Sequence, residues 1–394
     1  MRASRILRRQ LEPALTFLHG HRRQALLDAT DALLRGGQLP LSSLGRALAG
    51  STSDKHRIKR IDRLLGNAAL QEQVPQVYQA LVRLLVQPGT RPLILLDWTE
   101  AGMDRFALSA VLPFEGRPLP LYHEVHPLRL MSNRSVLRHF LLRLRRLLPP
   151  DCRPVLVTDA GFRAPWFHLI YSLGWDFVGR VRGGVLVQAD PQQPWRRSHE
   201  LFPQATRTAR DLGVFALVRG RPYIGRLVLV RKRPLRKRPS RRHLPRRITE
   251  QRCAEAGREP WLLCTSLDQV HPAQVAAIYS LRMQIEQLYR DTKSHRFGWG
   301  LEDVRSGSEA RVSVLLLIAS LATFAVTLAG FAAERLGLHL SYQANTLRSR
   351  RVLSLFTLGR LVLCSRRPGS PLPRYGPSVL LALVRLVPCL SSGT

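Results

Sequence analysis

The stretch that decides the fold is residues 91–100, RPLILLDWTE. Upstream, apolar residues recur at helical spacing. Here a short continuous apolar run opens after Pro92 and closes on Asp97, which reads as a buried strand. The new period persists. Residues 106–125, FALSAVLPFEGRPLPLYHEV, hold two more strand-like runs about the turn FEGRP, which is a hairpin pattern. Residues 135–150, SVLRHFLLRLRRLLPP, form an amphipathic helix stopped by Pro149 and Pro150. Then PVLVTD (154–159) reads as another buried strand, APWFHLIYSLG (164–174) as a helix closed by Gly174, and WDFVGRVRG (175–183) as a fifth strand.

Three antiparallel strands followed by strand–helix–strand crossovers are the plan of a ribonuclease-H-like core. This is an α/β fold with a mixed sheet, implied strand order 3-2-1-4-5, flanked by helices. Residues 86–183 are its first part and 273–334 its last helices. Between them, 184–272 is a strand-rich insertion with the runs LGVFALV, YIGRLVLV and PWLLCTSL. It contains a basic loop, 231–247 (RKRPLRKRPSRRHLPRR), with ten Lys or Arg and no acid. Its prolines forbid a regular helix, leaving a solvated charge run or a phosphate-tracking segment.

Residues 1–85 read as helical. LPLSSLGRALAG and STSDKHRIKRIDRLLGN are two helices about a short turn, with Ser53 or Asp54 as a cap. The second carries Lys55, Arg57, Lys59 and Arg60. The pattern suits a DNA-binding helix-turn-helix and equally a helical bundle with a solvated basic face. Residues 335–394 form a helical C-terminal region, a candidate dimerisation surface.

Sixty-one Lys and Arg against 27 Asp and Glu leave a net charge of +34 on 394 residues. A balance this basic calls for a polyanionic partner, nucleic acid first and a membrane surface second. The five cysteines (Cys152, Cys253, Cys264, Cys364, Cys389) include no CxxC pair, so neither a zinc site nor a disulfide framework is indicated. The N-terminal residues lack the apolar core of a signal peptide, which points to a reducing cytosol. Residues 312–333, VSVLLLIASLATFAVTLAGFAA, carry no charge and are long enough to span a bilayer. A helix buried on all sides has the same composition and is the favoured reading, since a lone span would have no partner helices. It is expected to pack with the helix just before it.

The candidate chemistry lies with acids. Asp97 closes the first strand and Asp159 the fourth, both at the carboxyl edge where α/β folds place ligands. Residues 279–293, YSLRMQIEQLYRDTK, read as one helix. Ile278, Leu281, Ile285 and Leu288 make its core stripe, and Tyr279, Arg282, Glu286, Arg290 and Lys293 share the opposite side. Alone, Glu286 is a surface ion-pair partner of Arg282 or Arg290. With Asp97 and Asp159 it makes three carboxylates suited to a pair of Mg²⁺ ions about 3.5–4 Å apart. His123 and His126, beside Glu124, fall on opposite strand faces and read as structural. Glu100 is read as a surface acid near the site.

The spacing Y-(2)-R-(3)-E-(6)-K is met by Tyr279, Arg282, Glu286 and Lys293. In this the chain resembles the cut-and-paste, hairpin-forming DDE transposases of bacterial insertion sequences, insertion-sequence family four. The likeness extends to LLDWTE, VTDAGFRAPWF, EPWLLCTSL and SYQANTLRSRRVLS. It implies that Asp97, Asp159 and Glu286 are the catalytic, metal-binding triad, with Mg²⁺ as cofactor and Mn²⁺ able to substitute. It also implies that Tyr279, Arg282 and Lys293 hold the transposon end, and that Trp261 stacks on a flipped base. Arg290 and the basic residues of 55–60 join the expected DNA contacts. Met283 stands where some relatives carry a second Trp. The resemblance further implies double-stranded DNA partners (terminal inverted repeats and target), a homodimer in the paired-end complex, no membrane, and a bacterial cytoplasmic, nucleoid-associated location. The other readings are a catalytically silent DNA-binding descendant and a basic membrane-associated protein using 312–333 as a span.

Overall fold

The computed structural model describes residues 7–182, 184–232, 259–364 and 377–390. Its helices begin with α1 (Gly20–Leu34), α2 (Leu41–Arg46), α3 (Asp54–Leu65) and α4 (Ala68–Leu85). Strands β1 (Leu93–Glu100), β2 (Arg105–Leu112) and β3 (Leu119–Pro127) follow, then α5 (Arg134–Leu147), β4 (Val155–Thr158), α6 (Ala164–Ser172) and β5 (Asp176–Val181). The expected strand-rich stretch supplies β6 (Leu186–Gln188), β7 (Arg196–Arg197), β8 (Arg210–Leu217), β9 (Tyr223–Val230) and β10 (Trp261–Thr265). The chain continues through α7 (Pro272–Ser280), α8 (Met283–Lys293), α9 (Glu309–Arg335), α10 (His339–Tyr342), α11 (Leu355–Cys364) and α12 (Pro377–Arg385). Apart from Arg231 and Lys232, the basic loop 231–247 lies outside the described residues.

The chain divides into two compact units, one of Met1–Pro154 with Met283–Thr394 and one of Val155–Arg282. Strand order is 3-2-1 in the first and 4-5-10-9-8-6-7 in the second, each unit keeping the order expected for its strands in a mixed α/β fold. β1, β2 and β3 pair antiparallel, and β4 and β5 pair parallel.

In the first unit α9 is the core. It is long and apolar enough to span a membrane by composition, yet its most apolar stretch is 94% buried inside this unit. Its main partners are β3, α1, α4 and α11, rather than the helix preceding it, with which packing was expected. Two of its polar residues are satisfied internally: the Ser320 hydroxyl donates to the Leu316 carbonyl at 2.7 Å, and Trp299 Nε1 donates to Thr323 Oγ1 at 3.0 Å, whereas the buried Thr327 hydroxyl has no hydrogen-bond partner among the described residues. The crossing of α9 and α11 is closed by two glycines. A Cβ on Gly330 would lie 2.1 Å from the Leu355 oxygen, and one on Gly359 would lie 1.9 Å from the Val326 oxygen. Gly45 does the same for α2 and α3, where a Cβ would meet Ile58 Cα at 2.5 Å. Ser53 holds the N-cap position of α3 but makes no side-chain cap; its hydroxyl instead lies 2.8 Å from His56 Nδ1.

Two elements differ from the sequence reading. Asp97 does not close β1, which runs on to Glu100. Trp98 and Thr99 favour strands, and β2 keeps pairing out to Phe106. Residues 279–293 are not one helix. α7 ends at Ser280, Leu281 and Arg282 turn, and α8 begins at Met283. The Leu281 and Arg282 amides donate to the Ile278 and Tyr279 carbonyls, a three-residue step that tightens the chain without Gly or Pro. An apolar stripe drawn on one wheel could not register that step.

Candidate active site

In the first unit Asp97 sits in mid-strand, opposite Ser109, which in turn lies opposite His123. Residues paired across strands share a face. Asp97 Oδ1 accepts from the Trp98 amide at 2.8 Å. Helix α8 packs on β1 and carries Glu286, exposed, in its first turn. The helix break thus has an electrostatic consequence. By starting a new helix at Met283 it sets Glu286 in a first helical turn, where a negative charge is favoured by about 0.3–1 kcal/mol. Further along α8, Lys293 is half-buried; burial pulls its ammonium pKa down, opposed by Glu100 and Glu302. Glu100, exposed at the end of β1, is therefore an electrostatic neighbour of Lys293. Arg290 is exposed and donates to Gln287 Oε1 at 2.6 Å. Met283 is exposed.

The second unit holds the other expected residues. Asp159 directly follows β4, and its Oδ1 accepts from the Gly161 amide at 2.9 Å, an Asx turn that aims the carboxylate past the strand end. Tyr279 is 3% exposed, which corrects its expected place on an open helix face. Burial pushes its phenol pKa up; Arg282 and Arg180 pull it down, and Asp159 pushes it up. Its ring meets Trp261 edge-on. Trp261, half-buried at the start of β10, has Lys232 Nζ 4.3 Å from its ring centroid. The sequence reading missed Arg180 and Lys232. Arg180 is paired with Glu259 at 3.7 Å, and no motif marks it; Lys232 was visible only as one cation in a basic run.

On α3 the four basic residues differ. Arg57 bonds Asp54 and donates to the Leu48 and Gly50 carbonyls at 3.2 and 3.3 Å, bracing the α2–α3 turn. Lys59 pairs with Asp62 at 2.7 Å and Arg60 with Asp28 at 3.3 Å. Lys55 is exposed.

His123 and His126 take opposite faces, as alternation requires. His123 Nδ1 lies 2.7 Å from Ser109 Oγ, and burial lowers its pKa to about 4. His126 Nε2 lies 3.1 Å from Glu124, which also accepts from Tyr122 at 2.8 Å and pairs with Arg143 at 3.2 Å. Both are structural. Among the described residues, four cysteines are free thiols, and no group of three or more His, Cys, Asp or Glu stands close enough to hold a metal ion.

No curated protein matches the chain. Solved structures do, among them one described as the cryo-EM structure of piggyBac transposase synaptic complex with hairpin DNA, at 11% identity and TM-score 0.38, covering 100% of this chain and 84% of that one. A likeness that distant carries no argument. The family model of the transposase DDE domain matches residues 120–324, from β3 through α8 into the buried helix α9 and so across most of the elements just described. That is more than half of the sequence, and the chain belongs to the DDE transposases.

Proposed function

We propose that this transposase cleaves and joins DNA strands at the ends of an insertion sequence by two-metal phosphoryl transfer through a hairpin intermediate. We assign Asp97, Asp159 and Glu286 as its metal-holding triad, three carboxylates that would come to ligand distance only around bound ions. The observation that carries the reading is the packing of α8 on β1, which brings the helix of Glu286 to the strand of Asp97. The donor chemistry fits a hard divalent ion such as Mg²⁺, with Mn²⁺ in its place: three carboxylates, no thiolate and no imidazole. Divalent ions are general to the family. Bound, they would supply Lewis-acid activation of the attacking oxygen and stabilisation of the leaving one.

The chain's own residues do the positioning. Glu286 sits in the first turn of α8, the end of a helix that attracts negative charge. Arg282, Lys293 and Arg290 supply cations for phosphates of the end. Trp261 offers an indole face to a base turned out of the stack, and Tyr279 braces that indole from its edge. Lys55 extends the contact to flanking DNA. We further propose that the enzyme works as a homodimer on paired ends.

Incubating the purified full-length protein with the inverted repeats flanking its own gene and Mg²⁺ tests this reading. Nicked and hairpin-closed end fragments support it, and intact repeats at all protein concentrations contradict it. A catalytically silent DNA-binding descendant would bind those repeats without cutting them. Nothing in the acids favours that alternative, since all three triad positions are filled.

A further inference from the structure

Beyond the triad, α8 leads into a second basic feature that the signature residues do not explain. Within the first unit, Arg117, Arg290, Arg296 and Arg360 line a cavity of about 810 Å³ with Phe297 at its mouth and Asp291 as its acid. Arg117 is paired with Asp291 at 2.7 Å. Arg290, Arg296 and Arg360 have no carboxylate at ion-pairing distance among the described residues. They are held by neutral groups: Arg290 by the Gln287 amide, Arg360 by the carbonyl of Phe297 at 2.9 Å and the faces of Trp299 and Phe356, and Arg296 by the Phe297 ring 5.0 Å away. Converging like charges costs folding free energy that a bound anion recovers. Burial pulls Arg360's pKa down and pushes Asp291's up to about 6, so desolvation opposes both charges.

The rim is rigid. Trp299 is 1% exposed, its amide donates to the Asp291 carbonyl at 2.9 Å, and a Cβ on Gly298 would lie 2.1 Å from that same oxygen. The turn is therefore clamped to the end of α8. Phe297, two residues before that clamp, is left 61% exposed. A large exposed aromatic on a fixed rim above a ring of arginines is the combination that binds unpaired nucleic acid, phosphates on the guanidinium groups and a base on the ring. A cavity of this size takes a nucleotide or two and is far too small for a duplex.

We propose that this cavity captures an unpaired DNA strand, its phosphodiesters held by Arg290, Arg296 and Arg360 and one base stacked on Phe297. The site rests on the reading of the chain as a DNA-handling enzyme and adds to it a place for a freed strand.

The test uses the full-length protein in EDTA with a fluorescein-labelled dT12 oligonucleotide, measuring anisotropy over a salt series. Arg296 and Phe297 are both exposed, so their replacement leaves the fold intact, which a thermal melt checks. For Arg296→Ala the slope of log affinity against log salt should become shallower by about 0.7, the loss of one single-strand phosphate contact. For Phe297→Ala affinity should fall roughly fivefold or more with the slope unchanged, as for a lost stack. Wild-type affinity and slope in both variants would overturn the proposal. Cleavage of the inverted repeats by wild type is scored separately: cleavage with unaltered dT12 binding in both variants removes only this site. Failure to cleave with the predicted slope changes removes the catalytic reading and keeps the strand site.

Discussion

The rings of Trp261 and Tyr279 stand edge to face, with centroids 4.7 Å apart and planes at 78°. That geometry sets the electropositive edge of one ring against the electronegative face of the other. Lys232 also lies over the indole, so in the proposed stacking role Trp261 is a braced platform from which a base would displace that lysine. Trp261→Ala should slow hairpin closure about 5- to 100-fold, the worth of one base stack, while first-strand nicking stays within about twofold. Quantifying nicked and hairpin products on a denaturing gel checks this. Equal loss of both would mean the residue serves the fold.

The α9–α11 crossing gives a prediction about stability. A methyl on Gly359 has nowhere to go, because Val326 supplies backbone at that point rather than a movable side chain. Gly359→Ala should cost roughly 1–3 kcal/mol, the usual range for overpacking, and lower the melting temperature. An unchanged melting temperature would show that the helices separate more easily than this packing allows.

His123 gives the fold a pH dependence. Its folded pKa, about 4, lies below the ordinary 6.5, so between those values the unfolded chain takes up a proton that the folded chain refuses. The stability it contributes is present above pH 6.5 and is lost as pH falls through that window. Denaturant melts at pH 7 and pH 5 should show wild type losing more stability than His123→Gln. A difference between the two proteins that is independent of pH would contradict the assignment.

Much of this was legible in the sequence, for identifiable reasons. Strong period-2 and continuous apolar runs placed β1 to β5, and prolines and Gly174 closed the helices where they end. The buried nature of α9 was readable because 312–333, taken as a lone span, would have had no partner helices in a bilayer. The exact end of β1 was not readable, since the pairing partner, not Asp97's polarity, decides where a strand stops. The break at Leu281–Arg282 was equally hidden. Its residues are good helix formers, and only tertiary packing selects a three-residue step over a four-residue one. The same packing sank Tyr279, which a wheel drawn on one helix had left on an open face. Arg180, Arg117 and Arg360 join their sites from distant segments with no local signal.

The central claim is that Glu286 belongs to a catalytic triad rather than to a surface ion pair. The most direct measurement is end cleavage by Glu286→Gln in Mg²⁺, run beside a gel-shift assay of the same terminal-repeat DNA. The account predicts that cleavage falls to background while binding stays within a few-fold of wild type, because the amide keeps the shape of the side chain and loses only its charge. Cleavage at the wild-type rate would contradict it and return Glu286 to the helix surface.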